Sequence, residues 1–224
     1  IFNRIRFVCD DFKRYTVKDA SIRLALEEMY LTKTLQRFEK MKKDERFLTF
    51  FESPITVNGK KYRPLEKVIV ALKKAIPEML YDVDTFSIIH GDLCFANIMV
   101  DSNFSFIKVI DPRGKFGTYD IYGDFRYELA KLFHSVDGKY DFIIKDLFDL
   151  DYNTETSCIN YCIQDRKREF DLYKVFLDTF AAEIGNDLRK VELIEALLFL
   201  SMIPLHGESI RHQMVMLGTG LEIL

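Results

Sequence analysis

The sequence predicts a mostly helical α+β fold, on three observations. Apolar residues recur at helical spacing through its first third. Two short stretches, one around Asn58-Gly59 and one around Ser102–Ser105 (SNFS), carry the turn chemistry of β-hairpins. After Asp111–Gly117 (DPRGKFG) the pattern reads as helical to the end.

Each element follows from local chemistry. Ile22, Leu26, Met29 and Leu35 fall close to one helical face. The stretch Arg37–Arg46 (RFEKMKKDER) is mixed in sign and reads as a solvated helix end. Asn58-Gly59, between Ile55–Val57 and Tyr62, suits a type I′ turn, which needs two positive φ angles. A helix should run from Leu65 to about Leu80, with Val68, Leu72, Ala75 and Ile76 inward and Pro77 near its end. Asn97–Asp101 and Phe106–Ile110 should pair as a second hairpin. Three segments (GDFRYELAKLFHSV, DRKREFDLYKVFLDTFAAEI and RKVELIEALLFLSMIPL) then continue as helices. The Gly218–Gly220 triplet GTG lies after a helical pattern and reads as a C-terminal cap.

Composition narrows the function classes. The chain has 224 residues, 48% hydrophobic, which is enough for a sizeable core. A net charge of −3 argues against a general nucleic-acid binder, which needs a basic face. No apolar run reaches the roughly 18 residues of a membrane span. Cys9, Cys94, Cys158 and Cys162 match no zinc spacing, and free thiols fit a reducing cytoplasm. Cys158 and Cys162 lie four apart in what reads as a helical segment, which leaves a weak metal or redox role open. His134, His206 and His212 are isolated in sequence and read as core or surface residues.

The chemistry concentrates in Ile88–Asp101 (IIHGDLCFANIMVD). Polar His90, Asp92 and Asn97 interrupt apolar runs, and polar groups are costly to bury unless something binds them. Asn97 begins the first strand of the expected hairpin and Asp111 ends the second, so the two should face each other. With Asp92 nearby, that mouth would suit a hard cation of the Mg²⁺ type, which takes one or two carboxylates plus substrate phosphates. A neighbouring carboxylate can serve as a general base for a hydroxyl.

His90-Gly91-Asp92, then Asn97, then Asp111 at a hairpin end, resembles the catalytic and metal loops of the aminoglycoside phosphotransferase/choline kinase-like branch of the protein kinase-like superfamily. Gly91 stands where protein kinases usually carry Arg, which favours the small-molecule branch. Tyr122–Leu132 (YGDFRYELAKL) resembles the acidic segment after the metal loop, with Glu128 in place of the usual acid. Together with IDPRG and IPLH, these motifs resemble bacterial phosphotransferase-type proteins of capsule and surface polysaccharide synthesis.

The resemblance implies a kinase-like carboxy-terminal lobe over residues 1–224, with a small catalytic β-hairpin and the amino-terminal β lobe missing or reduced. Residues 1–87 would hold helices and a β-ribbon, 88–117 the catalytic and metal loops, and 118–224 the acceptor-side helices. It implies Mg²⁺-dependent transfer of a phosphate from ATP or GTP to a small hydroxyl-bearing acceptor, with sugars the first class to consider. Asp92 would be the catalytic base, and Asn97 and Asp111 the metal ligands. Arg113 would touch a phosphate or acidic acceptor, unless it pairs with Asp120 or Asp124. His90 and Asp124 would support the loop. Tyr122, Arg126, Tyr127, His134, Tyr140 and Asp141 would line the acceptor pocket. The competing expectation is a catalytically silent binding module. Metal-assisted hydrolysis by His90 and Asp92 is weaker, because further His or carboxylate ligands are lacking.

Overall fold

The computed structural model describes residues 1–164 and 171–224, so the DRKREF opening of one expected helix lies outside the described residues. In chain order the elements are α1 (Phe2–Lys13), β1 (Thr16–Val17), α2 (Ile22–Leu26), α3 (Lys33–Lys42), α4 (Leu48–Glu52), β2 (Ile55–Val57), β3 (Lys60–Tyr62), α5 (Leu65–Leu80), β4 (Phe86–Ile88), β5 (Ile98–Val100) and β6 (Ile107–Val109). They continue with β7 (Tyr122–Gly123), α6 (Phe125–Val136), α7 (Tyr140–Ile143), β8 (Phe148–Asn153), β9 (Cys158–Ile163), α8 (Leu172–Thr179), α9 (Ala181–Ile184), α10 (Leu188–Met202) and α11 (Ile210–Ile223). The fold is thus α+β and mostly helical, and no described helix is long and apolar enough to cross a membrane.

The chain folds as two compact units that are discontinuous in sequence. The first holds Ile1–Leu26, Asp82–Asp141 and the described residues of Arg166–Glu195. The boundaries expected at 87/88 and 117/118 both fall inside it. Its three-stranded sheet has the order β1-β4-β7, and β5 pairs with β6 as a separate hairpin. Ile98 faces Val109 and Val100 faces Ile107, the register the sequence implied. The hairpin turn is tied by Asp101, whose carboxylate accepts the Ser105 and Phe106 amides at 2.7 and 2.8 Å. The core of this unit is aromatic. Phe133 stacks on Phe176 with ring centroids 4.8 Å apart, and Phe86 meets Phe116 edge-on at 5.3 Å. Such pairs add roughly 0.5–1.5 kcal/mol each beyond their buried area.

The second unit holds Glu27–Tyr81, the described residues of Phe142–Asp165, and Ala196–Leu224. Its sheet has the order β3-β2-β9-β8, with β2 and β9 parallel. The β2–β3 turn has φ of 48° at Asn58 and 79° at Gly59, as the Asn-Gly signal requires. In α5, Leu72 and Ile76 are buried as expected, while Val68 and Ala75 are only half-buried.

Two expectations are corrected in this second unit. The chain after Gly117 is not helical throughout, because β8 and β9 form a six-residue antiparallel hairpin. Cys158 and Cys162 therefore sit on one strand. Four residues along a strand span about 13 Å, too far for one metal or one disulfide. The Gly218–Gly220 triplet is not a cap but lies buried inside α11. A Cβ at Gly218 would stand 2.7 Å from the Tyr161 ring and 3.3 Å from Val57. That ring is anchored, since its hydroxyl bonds Thr219 at 3.0 Å and Glu222 at 2.5 Å. Glycine lets α11 approach the sheet. Gly218→Val should therefore lower unfolding free energy by about 2 kcal/mol or more, read by chemical denaturation.

Candidate active site

The site is built on β4, the loop after it, the β5–β6 hairpin and α6. The loop turns at Gly91, where φ is +74° and a Cβ would lie 3.0 Å from the Arg113 Cβ. Glycine is needed there both for the left-handed backbone and for the close approach. Arg113 is drawn in because its amide donates to the His90 carbonyl at 2.8 Å. The two ends of the polar segment are thereby stitched together across the hairpin.

Glu128, fully buried on α6, holds the loop from behind. Its Oε1 accepts the His90 amide and its Oε2 the Gly91 amide, each at 2.8 Å. The brace expected of Asp124 is thus supplied by Glu128. Asp124 caps α6 by accepting the Arg126 amide at 2.9 Å, and it pairs with the Arg126 guanidinium. Burial, the largest influence, pushes the Glu128 carboxyl up to about 7, although the two amide donors pull the other way. Burial also pushes the His90 imidazole below its ordinary value, so the ring is neutral at pH 7. His90 Nδ1 accepts the Asp92 amide at 3.3 Å, a contact within the loop.

Asp92 and Asn97 meet. Asn97 Nδ2 donates to the Asp92 carbonyl at 2.8 Å and to Asp92 Oδ2 at 3.1 Å. With Nδ2 committed to Asp92, the Asn97 Oδ1 keeps its lone pairs for another partner. The Ile110 amide donates to the Asn97 carbonyl at 3.0 Å, which sets Asp111 one residue from Asn97 at the hairpin mouth. Asp111 is exposed and has φ of +55°. A non-glycine residue there is a strained backbone of the kind found at ligand sites. Arg113 sits beside the loop, with Nη1 donating to the Tyr127 hydroxyl at 2.7 Å.

Sequence reasoning missed Lys131. Its Nζ lies 2.7 Å from Asp92 Oδ1, and its side chain is 8% exposed. Burial acts against its charge, but Tyr127 and Asp92 outweigh that and hold its pKa above the ordinary lysine value. The available signal was a lysine within the apolar run ELAKLF, one helical turn after Glu128. The expected acceptor pocket is largely overturned. Arg126, Tyr127 and His134 are buried in the unit's core, with His134 stacked on Tyr140 at 4.2 Å. Tyr122 and Tyr140 remain half-buried, and Asp141 is at the edge of burial.

Next to Asn97, Ile98 and Val100 line an apolar cleft of about 630 Å³ shared with Ile1, Phe2, Phe95 and Val175.

Comparison with protein-family models, with curated proteins and with solved structures gives no match.

Glu128 generates a pH signature. Its pKa is raised on folding from 4.5 to about 7. Between those values the native chain binds more protons than the unfolded one, so stability falls as pH rises. Relative to Glu128→Gln, the wild type should lose roughly 3 kcal/mol between pH 4.5 and 7 and then level off. Urea denaturation across that range checks this.

Proposed function

We propose that the protein is a Mg²⁺-dependent small-molecule kinase. It would transfer the terminal phosphate of ATP or GTP to a hydroxyl, with a sugar or other polyol as the first acceptor class to test. The observation that carries this reading is the joining of Asp92, Asn97 and Asp111 at one hairpin mouth, on a loop pinned by Glu128. Asn97 Oδ1 and an Asp111 oxygen would hold Mg²⁺ on the phosphates, and the apolar cleft beside Ile98 would take the base.

In this reaction the acceptor oxygen forms the new bond to phosphorus. The bridging oxygen leaves on the nucleoside diphosphate, and the hydroxyl proton passes to Asp92. Such transfer is mainly positioning and charge stabilisation. Asn97 fixes one Asp92 oxygen, which leaves the carboxylate a single orientation. Lys131 and Arg113 would supply positive charge for the phosphate oxygens, as the ordinary carriers of this role do.

The Lys131–Asp92 ion pair favours a second reading, a silent module that binds a phosphorylated ligand. An occupied carboxylate is a poor proton acceptor until something draws the ammonium away. The two readings differ in turnover, not in binding.

Titration calorimetry with ATP and GTP, with and without Mg²⁺, tests the first reading. Binding should need Mg²⁺ and weaken at least about tenfold in Asp111→Ala. Nucleotide binding indifferent to both would sink the proposal. Lys131→Met should cut phosphate transfer about 10²- to 10³-fold and change nucleotide affinity by less than about threefold. A coupled assay for nucleoside diphosphate release reads this. If nucleotide binds and no acceptor turns over, the binding module stands instead.

A further inference from the structure

His206, Glu208 and His212 lie within seven residues of one another and converge in the second unit. Each offers a ligand atom, and these atoms lie within 4.8 Å of one another. His206 follows the 3₁₀ turn Ile203–Leu205, and His212 lies in the first turn of α11, whose cap is Ser209. Ser209 Oγ accepts the His212 amide at 3.2 Å, which holds the short loop between the two imidazoles in shape. His206 Nδ1 stands 3.1 Å from Glu208 Oε1. On the far side of His212, Nε2 meets Asp146 Oδ1 at 2.9 Å. Asp146 is held at φ +56°, just before β8.

Two features distinguish this cluster from a chance surface pair. The imidazoles are 19% and 12% exposed, so both are largely removed from water. His212 Nδ1 is buried and has no hydrogen-bond partner. Burying an unpaired polar nitrogen costs free energy. If Nε2–H donates to Asp146, the Nδ1 lone pair is left for a metal. A carboxylate behind a ligating imidazole is the usual outer support of such a site. Two imidazoles and a carboxylate form a borderline donor set that suits zinc-like ions in preference to Mg²⁺. Tetrahedral bonds of about 2.0–2.2 Å need ligand edges near 3.4 Å, so the three ligand atoms, now within 4.8 Å of one another, would draw together around the ion.

We infer that His206, Glu208 and His212 bind one divalent transition-metal ion of the zinc type, with Asp146 orienting His212. The ion would close the loop between the Ile203–Leu205 turn and the start of α11, with Asp146 joined to it only through His212, which makes it a structural centre separate from the Mg²⁺ chemistry proposed for Asn97 and Asp111.

The test uses the whole chain, stripped with chelator and titrated with Zn²⁺, then with Co²⁺ as a spectroscopic probe. One Zn²⁺ should bind per chain, and Co²⁺ should give tetrahedral absorption without a thiolate band. His206→Gln, the more exposed substitution, and His206→Gln/His212→Gln should weaken Zn²⁺ binding at least about a hundredfold. Asp146→Asn should weaken it about ten- to a hundredfold, and Asp111→Ala should leave it unchanged. Circular dichroism confirms that each variant is folded. No saturable binding by the folded wild type overturns the inference. So does binding that survives the double variant, and so does a Co²⁺ thiolate band, which would assign the metal to cysteine.

Discussion

The polar loop between β4 and β5 keeps its shape through one interaction, the Glu128 carboxylate against two consecutive amides. A buried carboxylate is expensive, with a penalty of several kcal/mol even after relaxation. Two hydrogen bonds to a charged acceptor return about 1.5–3 kcal/mol each. Burial is the stronger by roughly 3 kcal/mol, as the carboxyl raised to about 7 shows. Glu128 therefore gives little net stability. It gives one conformation, in which Gly91 turns, Asp92 faces outward at 40% exposure and Asn97 reaches back to it.

Helix α6 extends the same logic. From Arg126 to Val136 every residue is buried, including Arg126, Glu128, Lys131, His134 and Ser135. A helix this polar can be central only if its polar groups are tethered. Arg126 spans Asp124 and Asp82, and Asp82 also holds Lys190 at 2.5 Å. Ser135 accepts the Phe95 amide at 3.1 Å, within the same polar segment that Glu128 braces. Lys131 takes Asp92. The helix thus turns Glu128, Lys131 and Ser135 to the polar segment, while its own Leu132 and Phe133 are fully buried.

Much of this was legible because it depends on local chemistry. Asn58-Gly59 and the SNFS turn announced their hairpins, and polar residues inside apolar runs announced the site. What was not legible depends on tertiary partners. The β8 and β9 strands do alternate, Phe148-Leu150-Tyr152 against Ile159-Tyr161-Ile163, but charges and cysteines at helical spacing masked a period of two. Gly218 looked like a cap because only the Tyr161 ring, distant in sequence, reveals why no side chain fits. Tyr127 and His134 looked like pocket residues, since composition cannot say that α6 is covered on every side. Lys131 shares that cause, since its meaning lies in Asp92, which sequence spacing does not bring near; His206, Glu208 and His212 lie within seven residues, but only the fold shows their ligand atoms converging.

The charges around the loop also explain why a cation belongs in the proposed reading. Asp92, Asp111 and Glu128 are opposed there by Lys131 and Arg113, so the carboxylates outnumber the cationic groups whenever Glu128 is ionised. Lys131 is already engaged by Asp92 at 2.7 Å, and Arg113 by the Tyr127 hydroxyl. A polyphosphate brought to this mouth would meet the exposed Asp111 carboxylate. At 4 Å and an effective dielectric near 20, such a like-charge contact costs about 4 kcal/mol. In the proposed reading, Asn97 and Asp111 would hold a divalent ion whose charge would offset that repulsion, and the strained φ at Asp111 would set its carboxylate at the mouth before any ligand arrives.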